Sequence, residues 1–259
     1  MHHDHPAAVE RHLEAWLGAW PPTRDRLEAV GHPARAEPGW DGGHHPLIGI
    51  IAPDGGILSL RPDLVERVRP LLTSPEEAAD PRWRARVADA IGLHDQVIGN
   101  DVFRFVREAP SPDALPDVGR WVPAGDPDLP DWLRPFNAPE ALVAREHDQL
   151  LGAAGIKMLS PHGAEIAVVI EPNARGRGLA RSLTAQACRR LIADGLAPTV
   201  IHADDNIGSV RAAEAVGFTD EGWRALEVLP REARWRGIAR RARRRVRARR
   251  DRGGRPASR

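Results

Sequence analysis

The stretch from Ala164 to Leu183 constrains the fold more than any other. An apolar, β-branched run from Ala164 to Ile170 stops at Pro172. A short loop carries Gly176 and Gly178, and a helical pattern follows with Leu179, Leu183, Ala187 and Leu191 on one stripe. A strand that passes into an amphipathic helix over a few residues packs that helix back on its own sheet. The junction is an anion site. The amides of a helix N-terminus converge on one spot, and the helix dipole favours negative charge there. Gly176 and Gly178 let the backbone approach a phosphate without a Cβ between them. Arg175, Arg177 and Arg181 add positive charge. A dinucleotide fingerprint requires a third glycine where Arg181 stands, and the Gly-Lys-Ser/Thr of a Walker loop is absent.

Around this junction three regions separate. Residues 1–116 open with a helical pattern from Val9 to Trp20, ended by Pro21 and Pro22. A hairpin is predicted with strands Leu47–Ala52 and Ile57–Leu60 about the turn Asp54-Gly55-Gly56. Helices are predicted at Asp63–Leu72 and Pro75–Ile91 and a strand at Val102–Val106, before a Pro-rich linker, Ala109–Pro116. Residues 117–230 carry strands at Ala141–Arg145, Leu150–Met158, Ala164–Ile170, Thr199–Ala203 and Trp223–Leu229. Helices are predicted over Gly176–Ala193 and Asn206–Val216. Strands alternating with helices indicate an α/β fold with a mixed sheet.

Residues 231–259 are Arg-rich. Fourteen arginines against Glu232 and Asp251 make this segment twelve charges positive, so residues 1–230 carry eleven negative within a whole-chain net of +1. Within it Trp235, Ile238, Ala239, Ala242 and Val246 fall on one helical face, a pattern that fits either a segment binding nucleic acid, ribosomes or anionic membrane surfaces or a tail that is solvated or folded against the acidic body. The acidic body steers cationic ligands instead. No stretch approaches the roughly 20 apolar residues of a membrane span, and Met1–Glu10 lacks the apolar core of a secretory leader. Cys188 is the only cysteine, so a disulfide and a thiolate metal cluster within the chain are both excluded. A cytoplasmic location is expected. Lys157 is the only lysine among 37 basic residues, a bias typical of GC-rich bacterial genomes.

Arg175-Gly176-Arg177-Gly178-Leu179-Ala180 resembles the pyrophosphate-binding motif of the GNAT superfamily of N-acetyltransferases. About 30 residues on, Asn206, Ile207, Gly208 and Ser209 open a helical run ending at Gly217-Phe218, which resembles the family's second motif. The residue chemistry agrees. Asn is a good N-cap, Gly217 suits a left-handed C′ position, and Phe218 can fold back on the helix. The resemblance covers roughly residues 117–229. It implies a GNAT-type mixed central sheet flanked by helices, here with an N-terminal α+β subdomain and a basic C-terminal extension. It also implies acetyl-CoA as co-substrate and transfer to an amine, small molecule or peptide, by direct attack. In the family the strand before the loop splays from its neighbour and offers its backbone to the pantetheine arm. Here that role falls to Val168, Val169 and Ile170.

Glu165 occupies a place that resembles the general base of some family members. It shares a strand face with Ala167 and Val169. The family's usual acid is a Tyr four residues before the helix-ending Gly. That position is Ala213, and the chain has no tyrosine. Protonation of the leaving thiolate therefore falls to Ser209, His202 or water. Trp121, Trp132 and Trp223 lie in segments able to wall the acceptor pocket or to pack the core. A second reading keeps the CoA site on a catalytically weak protein attached to RNA or ribosome by its basic tail.

Overall fold

The structure, a computed structural model, describes residues 5–230. Helix α1 (His5–Leu17) leads to β1 (Leu27–Gly31) and the hairpin β2 (Leu47–Ala52) and β3 (Gly55–Leu60). Two short helices follow, α2 (Val65–Val68) and α3 (Pro81–Ala90), then β4 (Gln96–Ile98), β5 (Asp101–Phe105) and β6 (Arg120–Pro123). The second half runs β7 (Glu140–Glu146), β8 (Gln149–Ser160), β9 (Gly163–Ile170), α4 (Leu179–Ala193), β10 (Ala197–His202), α5 (Ile207–Val216) and β11 (Arg224–Pro230). The strands form one mixed sheet in the order β1-β3-β2-β11-β5-β10-β9-β8-β7-β6, with β4 pairing β11. This is the mixed α/β architecture that the sequence indicated.

Several boundaries moved for local reasons. α1 stops at Leu17 rather than Trp20, because Gly18 turns left-handed (φ +90°) and its amide donates back to the Glu14 carbonyl. The predicted helix at 63–72 keeps one α-helical turn, flanked by 3₁₀ turns at Pro62–Leu64 and Arg69–Leu71. Pro70 has no amide to continue the helix. The predicted helix at 75–91 divides at Pro81, the first residue of α3, where Asp80 caps by accepting from the Arg82 amide at 2.8 Å. β1, β4 and β6 carry no clear alternation, and the sequence pattern did not reveal them. The Arg-rich segment 231–259, with its expected helical face and its nucleic-acid or ribosome contact, lies outside the described residues.

β11 fixes the architecture. It arrives last yet inserts centrally, pairing β2 through Arg224–Glu227 on one side. On its other side it pairs β5 through Arg224 and Ala225, then β4 through Val228–Pro230. The two ladders leave a break at Leu226 and Glu227, where the Gly99 amide donates to the Glu227 carbonyl at 2.8 Å.

Helices cover both faces. α4 and α5 pack over β7 to β10, with Leu183, Ala187, Val216 and Phe218 in the core beneath. α1 covers the opposite face over Ile50, Ile57, Phe103 and Ala225. α2 and α3 close the far end over Leu47, Leu58, Leu226 and Val228. The period-two alternation of each strand then decides what faces which layer. In β9, Ile166, Val168 and Ile170 pack with the α4 layer, which places Glu165, Ala167 and Val169 on the α1 side. Trp121 and Trp132 pack in or against the core, and Trp223 joins Phe103, Phe105 and Trp20 in an aromatic cluster. Among the described residues, no helix is long and apolar enough to cross a membrane.

Candidate active site

Parallel pairing between β9 and β10 lasts three residues, from Gly163–Ala197 to Glu165–Thr199. Beyond it the strands splay. β9 continues to Ile170 along β8, and β10 continues to His202 along β5. The β10-facing edge of Ile166–Ile170 therefore has no strand partner, and its peptide groups are open to a ligand. The splay opens into a single cleft of about 2850 Å³, larger than the roughly 300–1,000 Å³ of common small-molecule pockets.

The glycine loop lies at one end. Gly176 and Gly178 are both left-handed, with φ of +80° and +78°. That conformation costs an L-residue roughly 1–2 kcal/mol, which explains why glycine occupies both positions. It also delays α4, which begins at Leu179 rather than Gly176. Gly178 is its N-cap and no side chain caps the helix, so the first-turn amides remain free for an anion. Gln186 of α4 accepts from the Val118 and Gly119 amides and donates to the Gly119 carbonyl, which ties the helix to the chain entering β6. Arg175 reaches the Ile170 carbonyl at 3.4 Å. Arg177 pairs with Glu146 at 3.0 Å on the protein surface, so its charge is already matched there.

The second motif forms the neighbouring wall. Asn206 caps α5 by accepting from the Ser209 amide at 3.3 Å. Gly217 ends the helix left-handed at φ +99°, and the amide of the fully buried Phe218 donates to the Ala213 carbonyl. This is the Schellman-type ending that the Gly-Phe pair suggested. The catalytic and cofactor candidates from the sequence all line this cleft: Glu165, His202, Ser209, the strand segment Val168–Ile170, the loop Arg175–Ala180 and Asn206; Trp121, Trp132 and Trp223 do not.

The far end of the cleft lies on the α1 side of the splay and is acidic. Glu165 is 4% exposed. It stands directly across the β8–β9 ladder from Lys157, which donates to it at 2.7 Å. Lys157 also lies over the Trp40 ring, 4.7 Å from its centroid. Glu227 of β11 and Asp101 of β5 line the same wall. Glu227 stands opposite Ile48 in the β2–β11 register and so shares its face. Burial, and then the charge of Glu165, push its carboxyl up to about 7. Burial and Asp204 push Asp101 up as well. His202 is buried at the end of β10. Its Nδ1 meets the Ala203 carbonyl at 3.0 Å, and its Nε2 has no partner among the described residues. A carbonyl only accepts, so Nδ1 carries a proton, and in its neutral form the ring has a lone pair at Nε2.

Sequence reasoning missed Glu227, Lys157, Trp40, Trp16 and Arg35, all lining the cleft. One signal was present for Glu227, a lone carboxylate inside an apolar strand, Ala225-Leu226-Glu227-Val228. Lys157 sits in the long apolar run of β8 in the same manner.

Against known proteins, residues 104–218 match the Acetyltransferase (GNAT) family. A mycothiol acetyltransferase of Saccharopolyspora erythraea is 28% identical over 181 residues, covering 69% of this chain and 57% of its own length. One of Geodermatophilus obscurus is 30% identical over 174 residues, covering 61% of this chain and 56% of its own. The chain thus spans little more than half the length of these relatives. A GCN5-related N-acetyltransferase structure from Kribbella flavida covers 89% of this chain and 96% of its own, with 16% identity and a TM-score of 0.42. The segment that matches this family, residues 104–218, carries both motifs and the splayed strands.

Proposed function

We propose that the protein transfers an acetyl group from acetyl-CoA to a primary amine, with donor and acceptor meeting at the β9–β10 splay. The observation that carries this reading is the continuity of one cleft from an uncapped, glycine-entered helix N-terminus to a cluster of three carboxylates, Glu165 buried and Glu227 and Asp101 half-buried. The residues fit the donor. The amides of Gly178, Leu179 and Ala180 take the pyrophosphate, with Arg175 adding charge. Backbone groups of Val168, Val169 and Ile170 take the pantetheine arm, and an amide there polarises the thioester carbonyl. Asn206 orients the first turn of α5 beside it.

At the acidic end an ammonium must lose a proton before it attacks. Glu165 is occupied by Lys157, and Glu227 titrates near neutrality, the range in which a base is both available and strong enough. Glu227 takes the proton, its pKa raised by burial and then by the charge of Glu165. The amine lone pair then forms the N–C bond to the acetyl carbonyl carbon. The C–S bond breaks and the electron pair leaves with sulfur as thiolate. One further proton leaves nitrogen as the amide forms, and the thiolate takes one up. His202, with a lone pair at Nε2, accepts a hydrogen bond on this path. Ser209, on the first turn of α5, has the hydroxyl that returns a proton to sulfur. The segments 1–116 and 117–230 act together in this reading, because α1, the loop after β1, and β11 all line the acceptor end.

The test is a calorimetric titration with acetyl-CoA, followed by thiol release with amine acceptors. Gly178→Trp forces a side chain into a left-handed position whose Cβ would stand 3.1 Å from Arg181 Nε, in the path of the phosphates. It is expected to weaken acetyl-CoA binding at least about tenfold, or 1.4 kcal/mol. Absence of acetyl-CoA binding by the folded wild-type protein overturns the reading.

A further inference from the structure

Arg35 belongs to the loop after β1, in a 3₁₀ turn (Pro33–Arg35) that His32 caps by accepting from the Ala34 amide. Although 7% exposed, it lines the cleft. Its Nη2 donates to the Trp16 carbonyl at 2.9 Å, while its Nε has no partner among the described residues. A guanidinium taken out of water is stable when a carboxylate meets it in a forked pair. Among the described residues Arg35 has no such pair. The acidic group that acts on it is Glu227, which lies near enough to favour its charge but forms no ion pair with it. Burial accordingly holds the guanidinium down at about 10. The cleft is thus lined by the buried Arg35 and the half-buried Glu227, and no ion pair joins them among the described residues. A ligand carrying both charges satisfies both walls at once, whereas a plain ammonium leaves Arg35 unmatched.

We propose that the acceptor is an amino acid or a close analogue, whose amine is received by Glu227 and whose carboxylate, a few bonds away, is received by Arg35. The proposal rests on the acetyl-transfer reading and names the substrate class of that site. The reaction balances as before. Nitrogen bonds to the acetyl carbon, sulfur leaves with the electron pair and is protonated, and the acceptor's carboxylate is unchanged.

The experiment compares each standard α-amino acid with the amine left when its carboxyl group is removed, reading thiol release from acetyl-CoA. At least one amino acid is expected to exceed its decarboxylated partner roughly tenfold or more in kcat/KM, the worth of one charge-assisted hydrogen bond. Arg35→Met is expected to erase most of that preference by raising KM for the amino acid ten- to hundredfold at nearly constant kcat. Arg35→Lys should recover part of it, since it restores charge without the fork. Plain amines as good as or better than amino acids throughout, equal losses on both in Arg35→Met, or transfer to neither set would each overturn the proposal. If Arg35→Met does not fold, the wild-type comparison and Arg35→Lys decide it. The acetyl-CoA titration on the same preparation separates the two readings. Binding with a preference for plain amines sinks only the amino-acid proposal, while absence of binding sinks acetyl transfer itself.

Discussion

Replacing Glu227 by Gln is expected to lower kcat/KM roughly 10²- to 10⁴-fold, the range for one acid–base group, and at the same time to stabilise the fold at alkaline pH. Glutamine keeps the shape and the β11 ladder but cannot take a proton. Acetyl-CoA affinity should stay close to wild type, because the glycine loop proposed to hold its phosphates lies at the other end of the cleft. The stability effect follows from linkage. Glu227 is raised from 4.5 to about 7 in the folded protein. Between those values the folded state binds a proton that the unfolded state has released. Stability therefore falls as pH rises through this window, and the whole cost is present above about 7. At about 1.4 kcal/mol per unit, the cost is of order 3–4 kcal/mol. Groups facing Glu227 set its size: burial and the charges of Glu165, Asp101 and Asp41 raise its pKa, and Lys157 lowers it. Thermal melts of Glu227→Gln should match wild type near pH 4 and exceed it at pH 8 by several degrees. Wild-type kcat/KM should climb with pH through about 7 and then level. A Glu227→Gln variant that turns over normally would return the base role to Glu165.

How much of this was legible in the sequence depends on how local each feature is. The β9–α4–β10–α5 unit was legible because each joint is written in neighbouring residues. The glycines at 176, 178 and 217 serve left-handed positions, and Asn206 caps the helix that begins beside it. Strands β1, β4 and β6 were missed because they are short, and their place is set by partners elsewhere in the chain. Glu227, Lys157 and Arg35 were opaque for a stronger reason. Their meaning depends on β11 entering between β2 and β5, and on the loop after β1 lying beside Trp16 of α1. Those pairings span up to nearly the whole chain. Glu165 was legible as a candidate. Its buried partner was not, since Lys157 reaches it only through the antiparallel register of β8 and β9.

That partnership carries the last expected result. Lys157→Met is expected to destabilise the protein by about 3–5 kcal/mol, the usual consequence of removing one member of a buried ion pair. Methionine fills much of the lysine stem's volume, so the loss comes from charge rather than from a cavity. Glu165 is left as an unpaired buried carboxylate on the same face as Glu227 and Asp101. Three carboxyl groups then share one low-dielectric wall, and the cheapest response is for one of them to hold a proton. Glu227 is therefore expected to titrate higher still, moving the rising limb of kcat/KM to more alkaline pH. Removing the partner as well separates charge from packing. Lys157→Met with Glu165→Leu should recover most of the lost stability, because an apolar pair of similar size can replace a buried ion pair at little cost. Denaturant unfolding of the two variants against wild type measures both effects. A Lys157→Met protein as stable as wild type would mean that Glu165 is neutral in the folded state. Its charge would then no longer account for the raised pKa of Glu227, and the division of roles between the two carboxylates would fall.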